Sequence, residues 1–133
     1  MGAWGAGPFE NDDALDFLGE LSGLTADELA SRLEAALAVP AQGYLELPEA
    51  SAAIAAAGLI AVARGGAFDS LNEEVVELAQ TGAVRDGARL RDLALTALAR
   101  VTGESSEWQE LWSESGSSAE ADAMIADLRS ALA

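Results

Sequence analysis

The sequence predicts an all-α fold, a compact bundle of about six or seven helices around a buried, alanine-rich central helix. Three observations carry this expectation. Apolar residues recur at the three-and-four spacing of helix faces. Helix start and stop signals alternate along the chain. No run rich in Val, Ile, Thr and aromatics with a period of two is present to form strands. Hydrophobic residues make up 50% of the chain and aromatics only 5%, so the core must be built from Ala, Leu and Val, whose small size favours closely packed helices. At 133 residues the chain is expected to be one domain, residues 1–133. No fixed-period repeat suggests a solenoid.

The elements follow from their punctuation. Four capping boxes, in which a Ser or Thr hydroxyl caps the helix and a Glu or Gln three residues on bonds back, each predict a helix start: Thr25 with Glu28, Ser70 with Glu73, Ser106 with Gln109 and Ser117 with Glu120. The first helix is expected from Asn11 or Asp12 to about Leu21, burying Ala14, Leu15, Leu18 and Leu21, and ending at Gly23. The second starts after Thr25, carries Leu29, Leu33, Ala36 and Leu37, and stops at Pro40, forming a hairpin with the first. A loop over Ala41 to Leu47 follows. Pro48 then suits a first helical position, and Glu49 to Arg64 is apolar nearly all round. It is too short and too alanine-rich to span a membrane, so it is the expected central helix, ended by Gly65 and Gly66. The fourth is expected over Ser70 to Gln80 and the fifth, strongly amphipathic, over about Asp86 to Val101. A short sixth carries Trp108, Leu111 and Trp112, and the last runs from Ser117 towards Ala133.

Charge narrows the partners. Seven basic residues, all arginines, stand against 23 acids, a formal net charge of -16. Phosphate backbones and anionic membranes are repelled by such a surface, because nucleic-acid binding rests on basic contacts that release counterions. No nucleic acid and no membrane partner is expected; a basic protein or a cation fits better, since complementary fields steer association. The absence of Cys and His removes disulfides, thiol chemistry, the usual zinc sites and histidine acid–base catalysis. Ser and Thr nucleophiles have neither His nor Lys to activate them. An enzyme is the minority reading, and no cofactor is expected. The opening has neither a positive region nor an apolar run, nor the Ser or Thr of a myristoylation signal, so a cytoplasmic location is expected.

The opening MGAWGAGPFENDDALDF is compositionally odd, because Trp4 and Phe9 are costly residues to leave in a glycine-rich end. They are expected to plug the end of the bundle and are kept as candidate contact residues. The glycine spacing is not a phosphate loop, since it follows no strand and lacks a lysine. The stretch MGAWGAGPFENDDALDFLGEL resembles the start of the domain of unknown function 4259 family, small bacterial proteins opening with a pattern close to MGxWGxGPFxNDxAxDF. SSEWQELWSES near the C-terminus resembles a second family segment. The resemblance implies membership and no activity.

Two groups of residues are the candidate sites. Asn11, Asp12, Asp13 and Asp16 crowd the start of the first helix, where negative charge offsets the helix dipole. Asp12, Asp16 and Glu20 also stack one turn apart, where like charges repel, leaving three options: an arginine from another helix, a divalent cation held by hard oxygens, or water alone. The spacing is not that of an EF-hand loop. The second group is Trp108, Glu110, Leu111 and Trp112, two tryptophans one turn apart with Glu104, Glu107, Glu110 and Glu114 as an acidic rim. The tryptophans suit either the core or an interface anchor. The first functional expectation is therefore a module that docks a basic protein, in the character of small immunity or antitoxin proteins. The alternatives are a carboxylate-based metal or hydrolytic site on Asp12, Asp13 and Asp16, and a structural homo-oligomer meeting through close-packed alanine faces.

Overall fold

The computed structural model describes residues 7–66, 73–85 and 88–133, and these form an all-α bundle with no strand among them. The helices are α1 (Asp12–Leu21), α2 (Ala26–Leu37), α3 (Leu47–Ala63), α4 (Glu73–Ala79), α5 (Gly82–Arg85), α6 (Ala88–Val101), α7 (Glu107–Ser115) and α8 (Ser118–Leu132).

Helix α3 is the axis on which the others assemble, and it touches every one of them. Its lack of a polar face is the reason: Ala50, Ala53, Ile54, Leu59 and Ile60 point in different directions, and all are at most 2% exposed. The alanines are covered by this chain's own helices, with α6 making the most extensive contact. Gly58 marks the closest approach. A Cβ built there would lie 3.0 Å from Phe9 Cζ and 3.0 Å from Pro8 Cβ, so the Pro8–Phe9 pair lies on α3 at the one residue without a side chain. Phe9, 2% exposed, is thereby core, packed against the interior of α3.

Local chemistry sets the ends of the early helices as expected. Asn11 caps α1 through its Oδ1, which accepts the Ala14 N–H at 2.8 Å. Thr25 and Glu28 form a complete capping box at α2, with Glu28 N–H donating to Thr25 Oγ1 and Thr25 N–H to Glu28 Oε1. Gly23, at φ 79°, supplies the left-handed turn between the two helices.

Four expectations need correction. Leu15, expected in the core, is 39% exposed: the buried face of α1 runs through Ala14, Phe17, Leu18 and Leu21, and Leu15 lies to one side of it. Ser117 makes no side-chain cap at α8: only Gly116 and Ser117 separate α7 from α8, and Ser117 sits at ψ 25°, outside the extended region from which a hydroxyl folds back onto the helix. At α7, Ser106 accepts the Gln109 N–H at 3.4 Å, but the Gln109 amide turns to Ser113 instead of closing the box. Finally, the chain resumes a helical turn after the break at Thr81, and α5 buries Val84 at 1% exposure. The Ser70 capping box lies outside the described residues, as does Trp4. No helix among the described residues is long and apolar enough to cross a membrane.

Candidate functional site

The start of α3 and the start of α7 cap each other across the fold. Pro48 brings no N–H to the first turn of α3, and Glu46 provides no side-chain cap, so the orphan Leu47 N–H donates to Glu107 Oε1 at 2.7 Å. In return the Glu107 N–H, an orphan of α7, donates to the Leu45 carbonyl at 2.9 Å, while the Leu45 N–H donates to the Ser105 carbonyl at 2.8 Å. Leu45 and Ser106 are buried at this seam, and Ser105 takes a left-handed backbone, φ 55°. A guanidinium completes it. Arg100 donates from Nε to the Pro40 carbonyl and from Nη2 to the Gly43 carbonyl, both at 2.7 Å, and from Nη1 to the Glu104 carbonyl at 3.0 Å. The loop between α2 and α3 is thus tied to the loop between α6 and α7 without any carboxylate.

This seam displays Tyr44. The residue is 53% exposed, and its hydroxyl donates to Glu110 Oε1 at 2.9 Å. The Glu110 carboxylate accepting that proton, helped by slight burial and by the negative field of Glu110, Glu107 and Glu114, pushes the phenol up to about 12. Beside Glu110, Leu111 and Trp112 are half-buried. Trp108 is a core residue, 5% exposed, and the two tryptophan rings meet at a centroid distance of 6.3 Å and a tilt of 52°. The expected contact face therefore loses Trp108 to the core, keeps Glu110 and the edge of Trp112, and gains Tyr44, the single tyrosine of the chain, which sequence reasoning left in an unassigned loop.

The acidic start of α1 resolves differently. Asn11 is the cap, and Asp12 is exposed in the first turn. Asp13, Asp16 and Glu20 face a cleft of about 480 Å³ between α1, α2 and the beginning of α3, where Glu49 joins them. The arginine option is met at Glu20 alone, which pairs with Arg32 of α2; Asp12 and Asp16 form no ion pair among the described residues. Among the described residues no group of three or more carboxylates is close enough to hold a metal ion. The functional expectations thus fall on two places, the Tyr44–Glu110 face and the α1–α2–α3 cleft.

The fold and its two acidic faces define a class, a small all-α protein with carboxylates exposed on two faces. The chain belongs to the family described as Domain of unknown function (DUF4259), which matches residues 2–123, the family that the sequence resembles. Comparisons with curated proteins and with solved structures find no match.

Proposed function

We propose that this protein is a binding module for a basic protein, and that its contact face is Tyr44, Glu110, Trp112 and Glu114. The observation that carries the reading is the exposed Tyr44 ring, fixed in place by its hydroxyl on Glu110 and set among glutamates. Tyrosine and tryptophan are the side chains that most often anchor interfaces, and a ring held before the partner arrives loses little entropy on binding. The carboxylates around it attract a basic surface and raise its rate of encounter. In this reading Trp108 supports the face from beneath through its ring contact with Trp112.

The test is affinity capture from the native lysate at low and high salt, with the wild type and with the Tyr44→Ala/Glu110→Gln variant side by side. Support is a basic protein held by the wild type, released by salt, and not held by the variant, whose circular dichroism stays that of the wild type. Capture that ignores the substitutions, or no capture at all, removes the reading.

A further inference from the structure

We infer that the cleft between α1, α2 and the start of α3 is a docking groove for an arginine-bearing segment of the basic partner, with the protein's own Arg32 as the internal stand-in for that arginine. This rests on the reading of the partner as a basic protein and names a second place where it is held.

The chemistry of the groove is two-sided. Asp13, Asp16, Glu20 and Glu49 line it, against the single guanidinium of Arg32. Phe17, Ala36, Val39 and Ala52 supply an apolar wall. A lining that mixes carboxylates with apolar side chains matches an arginine, whose methylene stem lies along carbon while its planar head pairs with a carboxylate. The volume, about 480 Å³, falls within the range of about 300–1,000 Å³ usual for binding clefts. Arg32 shows how a guanidinium sits there: Nη2 donates to Glu20 Oε1. Among the described residues Asp13, Asp16 and Glu49 form no ion pair, so three carboxylates of the groove keep no cation of their own. The Arg32–Glu20 pair is open to water on both sides, 46% and 56% exposed, and such pairs hold weakly and exchange readily. An incoming arginine can take the free carboxylates first and then replace Arg32 on Glu20. The groove also shares its framing with the Tyr44 face. Val39, from the connection that also carries Tyr44, and Pro48, in the first turn of α3, both line it.

The experiment is an NMR titration of the full chain, isotopically labelled, with a synthetic capped peptide of alternating arginine and alanine at low salt. The expected result is saturating shifts at the amides of Asp13, Asp16, Glu20, Val39 and Glu49. Asp16→Asn/Glu49→Gln, two exposed positions without a partner in the fold, should weaken the peptide roughly tenfold. Arg32→Gln should strengthen it by about threefold, because the stand-in is gone. The control is Arg64→Gln, an equal change of charge at an exposed residue outside the cleft, which should change affinity much less. Shifts that grow without saturation, or spread evenly over every exposed acid, overturn the groove, as does an equal effect of Arg32→Gln and Arg64→Gln. The same spectra separate this inference from the reading it rests on. Shifts confined to Glu110 and Trp112 leave the Tyr44 face standing and remove the groove. Shifts confined to the cleft do the reverse, and silence at both removes both.

Discussion

Arg100→Gln is the perturbation that most directly measures what holds the Tyr44 loop. The guanidinium makes three short hydrogen bonds to carbonyls of Pro40, Gly43 and Glu104, and longer ones, at 3.4 and 3.5 Å, to Ser105. Hydrogen bonds to a charged group contribute about 1.5–3 kcal/mol each when shielded. These bonds are exposed, so about 1 kcal/mol each is the better figure, and glutamine can replace at most one of the three. The expected loss is about 2 kcal/mol. With a urea slope of about 1.5 kcal/mol/M, typical of small domains, the midpoint should fall by roughly 1.3 M at unchanged slope, read by circular dichroism. Arg100→Lys should lie between the two, since an ammonium is a compact donor that cannot span carbonyls from two loops at once. Arg89→Gln serves as the contrast. That arginine is 75% exposed and pairs with Glu34 at 3.3 Å, so its loss should cost under about 0.5 kcal/mol. An Arg100→Gln midpoint within the error of Arg89→Gln would refute the reasoning, because the carbonyls would then be as well served by water.

Titrating Tyr44 by its ultraviolet absorbance should give a midpoint near 12 in the wild type, falling towards the ordinary tyrosine value in Glu110→Gln. The sign is that of a raised folded value: the Tyr44–Glu110 bond contributes its full stability below the unfolded tyrosine range and loses it as pH rises through about 12. Trp108→Ala should cost about 3–5 kcal/mol in urea unfolding, the usual result of emptying a buried aromatic site, and Trp112→Ala clearly less; equal costs would contradict their placement. Thr25→Ala should lose about 1 kcal/mol through its cap, whereas Ser117→Ala should change stability by under about 0.3 kcal/mol, and a thermal melt of each distinguishes them. Gly58→Val should destabilise by about 1–3 kcal/mol or more through overpacking against Phe9 and Pro8; a rise in melting temperature would show that the two residues can move aside.

The parts of the fold legible in the sequence are those decided within one or two turns of chain. Asn11 and the Thr25–Glu28 box act through bonds three residues long, and α3 lacks a polar face whatever surrounds it. The same local rule failed at Ser117, where the brevity of the α7–α8 link, and not the identity of the residue, sets the backbone. The candidate site was less legible because its geometry is made between distant segments. Trp108 and Trp112 share a helix face, and only the packing of that face decides that the first is covered and the second half-covered. Glu107 reads in sequence as one acid of a rim, yet it caps a helix sixty residues away. Tyr44 carries no local pattern at all. Its position depends on Arg100, and nothing in the spacing of either residue points to the other.

The use of the arginines gives the acidic surface its meaning. Arg100 is spent on carbonyls, Arg91 on the Leu132 carbonyl and its neighbour Asp92, Arg129 on the Thr102 hydroxyl, and Arg32 and Arg89 each on one glutamate. Among the described residues, then, most of the scarce positive charge is engaged by carbonyls, a hydroxyl or a single carboxylate, Arg64 stands exposed, and ion pairs reach only Glu20, Glu34 and Asp92. A chain that needed its carboxylates only for solubility would gain stability by pairing more of them, since a net charge of -16 repels itself across a compact surface. Carboxylates left without an ion pair on two faces, one beside an anchored tyrosine and one in a cleft with apolar lining, impose that repulsion in the free protein, and in the proposed reading a basic surface relieves it. The charge that weakens the isolated fold is in this reading the charge that selects its partner, and the two positions share one connection, held in shape by Arg100.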